Sequence, residues 1–167
     1  MPNIFKNIAD LKAYGFEGFI PIGQLWDDQS AIPQEQGVYL VLNTRQNNIN
    51  FINPGVGGFF QGRNPNIPID VLRENFIDDT IVLYIGKAGG TNNRATLQSR
   101  IRQYINFGQG KNAGHYGGRY IWQIREHKEL LICWKILKDD EPREIEGQLI
   151  TKFKNHYNRL PFANLRH

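Results

Sequence analysis

Apolar residues fall along this chain in runs of two kinds. Residues 37–43 and 80–86 are almost continuously apolar, carrying Val38-Tyr39-Leu40-Val41-Leu42 and Ile81-Val82-Leu83-Tyr84-Ile85. Short runs of this kind, bounded by turn formers and rich in β-branched and aromatic residues, predict buried strands. Residues 119–125 and 129–137 read as two further strands, joined through Glu126-His127-Lys128. Elsewhere the period lengthens. Leu97, Ile101, Tyr104 and Ile105 recur at helical spacing and predict a helix stopped by Gly108 and Gly110. Asp140-Glu141-Pro142 opens a last helix that runs to about Tyr157, with proline tolerated in its first turn. Residues 7–14 predict a short helix with Asn7 or Asp10 as cap and Gly15 as stop.

Between the first two strands, residues 44–79 show no sustained period. Asn53-Pro54-Gly55, Gly57-Gly58 and Asn64-Pro65-Asn66 are turn signals, and a helical turn is expected near 71–76. A loop this long inside a compact domain is usually functional or mobile. Gly114-His115-Tyr116-Gly117-Gly118 predicts a second flexible loop. Early strands flanked by helices give an α/β (α+β) class: a small, mostly antiparallel sheet with helices packed on it and loop insertions. One domain is expected over 1–167, with 1–36 as an N-terminal extension and the core at about 37–164.

Composition changes this picture little. The 40% hydrophobic and 22% charged content is ordinary for a globular domain. No apolar run approaches the roughly 20 residues that span a bilayer. The first residues lack a signal-peptide pattern. Cys133 is the sole cysteine, so no internal disulfide can form, and Leu130-Leu131-Ile132-Cys133-Trp134 places it in a buried strand. These features predict a cytoplasmic protein with no membrane partner.

Charge changes it more. From Thr80 to Arg125 there is no Asp or Glu, while Lys87, Arg94, Arg100, Arg102, Lys111, Arg119 and Arg125 give +7. The rest of the chain carries 13 basic and 16 acidic residues, or −3. A one-signed stretch is the footprint of a polyanion-binding face. Arg94, Arg102, Lys111, His115 and Arg119 are its candidate DNA contacts.

On a helical wheel of the last helix, Glu146 falls inside the stripe formed by Ile145, Leu149, Ile150, Phe153 and Tyr157. A carboxylate facing the protein body needs a cation or a metal, or stays protonated. Either a buried ion pair or metal ligation satisfies this. On the preceding long helix Arg100 sits on the shoulder of the apolar stripe and Arg102 points outward. Gly86 leaves room for a backbone or a phosphate to approach. Lys87 is expected to bring a cation near the phenol of Tyr84 and lower its pKa. His127, His156 and His167 have no metal-ligand spacing, and no zinc, phosphate-loop or dinucleotide pattern is present.

Five elements then stand in order: Gly37-Val38-Tyr39; Leu83-Tyr84-Ile85-Gly86-Lys87-Ala88; Leu97-x-x-Arg100-Ile101-x-x-Tyr104; Glu146-x-x-Leu149-Ile150; and Pro161-x-x-Asn164. Together they resemble the signature of the GIY-YIG nuclease superfamily, over most of the chain. The departures are Val38 for isoleucine, the long Tyr39–Tyr84 interval, the insertion 89–96 and the His115 loop. The resemblance implies a divalent-metal-dependent endodeoxyribonuclease. Tyr39, Tyr84, Lys87, Arg100, Glu146 and Asn164 are then the catalytic set, with Glu146 holding Mg²⁺ (or Mn²⁺). Tyr39 is favoured as general base with Tyr84 in support, Arg100 as stabiliser of transition-state charge, and Asn164 as orienter of Glu146 or the phosphate. Compact members with elaborated loops include type II restriction enzymes, for which a homodimer on a palindromic site is expected. The alternatives are a repair or mobile-element nicking nuclease, and a non-cutting nucleic-acid-binding module on the same fold.

Overall fold

The computed structural model describes residues 2–45 and 49–165. His167 therefore lies outside the described residues, as do three positions of the 44–79 excursion. Helix α1 (Ile8–Tyr14) is capped by Asn7, whose side-chain oxygen accepts from the Asp10 amide at 2.8 Å. It stops at Gly15, in the left-handed region at φ 111°. Then come β1 (Glu17–Pro21), α2 (Ile22–Leu25), β2 (Gly37–Leu42), α3 (Ile69–Asn75), β3 (Val82–Ala88), α4 (Leu97–Gly108), β4 (Leu131–Ile136) and α5 (Pro142–Tyr157). Thr96 and Ser99 close a capping box at the start of α4.

Among the described residues the strands form one antiparallel sheet in the order β1-β4-β2-β3. Central β2 is buried along its whole length because both faces are covered. Alternation sends Tyr39 and Val41 into one cluster, with Leu97, Ile101, Tyr104 and Ile105 of α4. It sends Val38, Leu40 and Leu42 into the other, with Leu149, Ile150 and Phe153 of α5. Cys133 is buried in the second cluster, and burial pushes its thiol well up, which leaves it inert. No helix among the described residues is long and apolar enough to cross a membrane.

Three expectations are corrected. Residues 2–36 are not a mere extension, since β1 pairs with β4 and Ile22, Leu25 and Ile32 join the core. The strand expected at 119–125 is a 3-10 helix, Tyr116–Gln123. The backbone there closes on itself in turns, with Ile124 N–H donating to Ile121 O at 3.0 Å, instead of pairing in the four-stranded sheet. From residue 49 to 79 the excursion is tied down by specific bonds. Ile52 N–H donates to Gln123 O at 2.8 Å, Val56 N–H donates to Trp122 O at 3.0 Å, and the Gln123 amide bonds Ile52 and Ile67.

Gly86 lies opposite Tyr39 in the β2–β3 register. A Cβ at Gly86 would sit 2.4 Å from Tyr39 Cζ and 2.7 Å from its hydroxyl. The space at Gly86 thus admits the Tyr39 ring, not a phosphate. Gly86→Ala should cost roughly 1–3 kcal/mol by overpacking, read from urea unfolding. Gly117→Ala, where an added Cβ meets nothing within 4 Å, should be near neutral. Equal losses would reject the packing account.

Candidate active site

Strand β3 is an edge of the sheet, and the candidate site wraps around it. Its outer side is partly covered by the chain after α5. Ala163 N–H donates to Leu83 O at 2.8 Å. The Asn164 amide brackets Ile85, accepting from its N–H and donating to its C=O, both at 2.9 Å. That amide fixes the β3 backbone beside Tyr84. Asn164, expected to orient Glu146 or the phosphate, lines a cleft together with Glu146 while its amide holds this strand edge.

One cleft of about 370 Å³ is lined by Tyr39, Tyr84, Lys87, Arg100, Gln103 and Glu146, among others. These side chains come from β2, β3, α4 and α5. A second cleft, of about 530 Å³, shares Tyr84 and Glu146 and adds Arg63, Tyr116, Arg119 and Asn164. Tyr84 and Glu146 thus stand where the two clefts meet.

The α4 side is aromatic. The rings of Tyr39 and Tyr84 are 6.1 Å apart, and Tyr84 and Tyr104 are 5.5 Å apart. His115 stacks on Tyr104 at 3.9 Å and places Nε2 2.6 Å from the Tyr39 hydroxyl. A hydrogen bond also links the Tyr39 and Tyr84 hydroxyls. Nδ1 of His115 is left buried without a partner. His115 is 1% exposed, so it is no DNA-backbone contact as expected for a glycine-loop residue. It is the inner end of a chain His115–Tyr39–Tyr84 that opens at Tyr84, because Tyr39 is wholly buried and Tyr84 only partly.

Burial sets the protonation states. It pushes Tyr39 and Tyr104 well above the usual phenol value and Tyr84 up to about 12. Arg100 pulls the other way at all three. Lys87 is not among the groups acting on Tyr84. Strand alternation explains this, since Lys87 is paired with Val38 and faces the α5 side, opposite the phenols. Desolvation, then Arg100, holds His115 well below 6.5 and so neutral. Glu146 is raised by burial, against the attraction of Lys87, Arg100 and Arg143.

Arg100 is anchored through one terminal nitrogen, which donates to Gln103 Oε1 at 2.7 Å and Gly114 O at 3.0 Å. Gln103 went unremarked in the sequence, although it lies three residues after Arg100 on the same helix face. Arg63 and Tyr116 were also passed over, and nothing periodic in 44–79 marks Arg63. Of the expected DNA contacts, Arg119 lines the larger cleft. Arg94, Arg102 and Lys111 are exposed and line neither cleft, and Arg102 donates to Gln29 and Gln98.

Among the described residues no three His, Cys, Asp or Glu side chains gather in one place. Glu146 makes no hydrogen bond and no ion pair there. A lone half-buried carboxylate suits Mg²⁺, which is commonly held by one or two carboxylates with water and substrate phosphate supplying the rest. Compared with known proteins, the chain matches no family model, no curated protein and no solved structure.

Proposed function

We propose that this chain is a divalent-metal-dependent endonuclease that hydrolyses DNA phosphodiesters, in the manner of the GIY-YIG nucleases it resembles. The observation that carries the reading is the convergence of Tyr39, Tyr84, Lys87, Arg100 and Glu146 from four elements onto one cleft. Arg100 and Lys87 supply fixed positive charge for a phosphate and its transition state. Glu146 would hold a Mg²⁺ that neutralises phosphate charge and stabilises the leaving oxygen. Tyr84, the phenol open to the cleft, positions the attacking water. Tyr39 stands behind Tyr84, bonded to His115 and closed off from water. This reverses the preference for Tyr39 as the group that meets water. A restriction-type enzyme is the finer form of the reading, since the pinned segment 49–79 brings Arg63 into the second cleft.

Incubation with plasmid and genomic DNA plus Mg²⁺ or Mn²⁺ tests the reading on a gel. Discrete fragments are expected. Nicking confined to branched or damaged DNA would move it to a repair nuclease, and tight binding without cutting to a non-catalytic module.

The pH dependence follows from Tyr84. Its pKa is raised, so the neutral phenol dominates at pH 7 and its deprotonated form grows with pH. Single-turnover cleavage should rise about tenfold per unit between pH 7 and 9. A plateau beginning near pH 7 would show that another base acts.

A further inference from the structure

The larger cleft holds a feature that the hydrolytic chemistry leaves unused. Arg63 and Arg119 share one aromatic ring, with their guanidinium carbons 4.3 and 4.2 Å from the centroid of Tyr116. The two distances together keep the guanidiniums within about 8.5 Å of each other. Two like charges this close repel unless an anion joins them. Neither makes an ion pair among the described residues, where the ion pairs are Lys6–Asp79 and Arg45–Glu129. The donors are also unspent. Arg119 gives one terminal nitrogen to Tyr116 O at 3.2 Å, and its Nε is buried without a partner. Arg63 makes no side-chain hydrogen bond among the described residues.

The arrangement is held in place before any ligand arrives. The Tyr116 hydroxyl donates to Asn64 O at 2.8 Å, which ties the turn bearing Arg63 to the 3-10 helix bearing Arg119. Arg63 N–H closes that turn onto Phe60 O at 3.1 Å. Glu146 and Tyr84 line the same cleft as the pair, and they alone belong to both clefts.

We propose that Arg63 and Arg119, set on the Tyr116 ring, form a subsite for a phosphodiester flanking the reacting one on the same DNA strand. Guanidiniums suit this task because their planar donor forks match phosphate oxygens. The subsite rests on the nuclease reading and extends it, for it gives the strand a direction across Glu146, from the Lys87–Arg100 cleft towards the Arg63–Arg119 pair. Neither residue touches the reacting atoms. Both position the strand.

The test is binding of a fluorescent DNA duplex of about 20 base pairs in EDTA, titrated from 50 to 300 mM salt. Arg63→Gln and Arg119→Gln should each weaken binding about 5- to 10-fold near 150 mM and reduce the slope of log K against log salt by about 0.9, and the double variant by about 1.8. Lys128→Gln, whose ammonium lies over the Trp26 ring and lines neither cleft, should keep the wild-type slope. Arg63 is exposed, so its variant reports even if loss of the partly buried Arg119 unsettles the fold. A wild-type slope in Arg63→Gln overturns the subsite and leaves the nuclease reading standing. A wild-type protein that binds no duplex overturns both. Inorganic phosphate that displaces duplex from wild type below 1 mM, but not from the double variant, would assign the pair to a free phosphate and overturn the strand assignment.

Discussion

Glu146→Gln should abolish Mg²⁺-dependent cleavage, by at least about 10³-fold, or roughly 4 kcal/mol of barrier, while duplex binding stays within a few-fold of wild type. The same substitution should stabilise the metal-free protein at neutral pH. Burial raises the Glu146 carboxyl above its ordinary value of 4.5, with Lys87, Arg100 and Arg143 only partly offsetting it. A carboxyl whose folded pKa is raised binds its proton more readily in the native state than in the unfolded one. Its favourable contribution is therefore complete below the unfolded value and is lost as pH rises through the folded one. At pH 7 to 8 wild type carries the cost of a poorly solvated carboxylate, and glutamine does not. A Tm gain of about 1–4 °C is expected there, shrinking towards zero near pH 4. Mg²⁺ should raise the Tm of wild type and not of the variant, because it binds the native carboxylate. Wild-type cleavage by the variant would remove Glu146 from the metal-binding role. A Tm gain that persisted at pH 4 would instead point to packing.

Much of this site was legible because its residues sit on regular elements. The 3.6-residue period of α5 put Glu146 inside an apolar stripe, and it is half-buried beside Leu149 and Ile150. The same period on α4 separated Arg100 from Arg102. Where the backbone departs from regular geometry, pattern failed. Strand β1 was missed because Gly18 and Phe19 take φ of 97° and 57° around an irregular register, and Pro21 ends it. Gly18 is needed there, since a Cβ would meet the Trp134 ring at 2.7 Å. The apolar run near Trp122 was misread because tertiary contacts bury it on all sides, and periodicity cannot separate that from a strand. His115 looked exposed among glycines. Gly118 in fact lets the Tyr104 ring approach, and the loop folds His115 onto that ring. The placement of Lys87 is legible from the strand's two-residue period, which puts Tyr84 and Lys87 on opposite faces.

Arg100→Ala should lower single-turnover cleavage about 10²- to 10³-fold, the usual loss when a fixed donor to transition-state charge is removed. Arg102→Ala should stay within about twofold of wild type, because Arg102 bonds Gln29 and Gln98 on an exposed face and lines neither cleft. The contrast isolates position, since the two residues lie on one helix and carry the same charge. Arg100 has three tasks that Arg102 lacks. It lines the cleft with Glu146, its guanidinium holds Gly114 O next to His115, and its charge lowers the pKa values of Tyr39 and Tyr84. Removing it should therefore raise Tyr84 further and depress cleavage more at pH 8 than a lost phosphate contact alone would. Arg100→Lys restores the charge but not the planar donor fork that matches phosphate oxygens, so it should recover only part of the rate. Equal losses in Arg100→Ala and Arg102→Ala, with unchanged melting temperatures, would mean that overall positive charge rather than the geometry of the cleft drives cleavage.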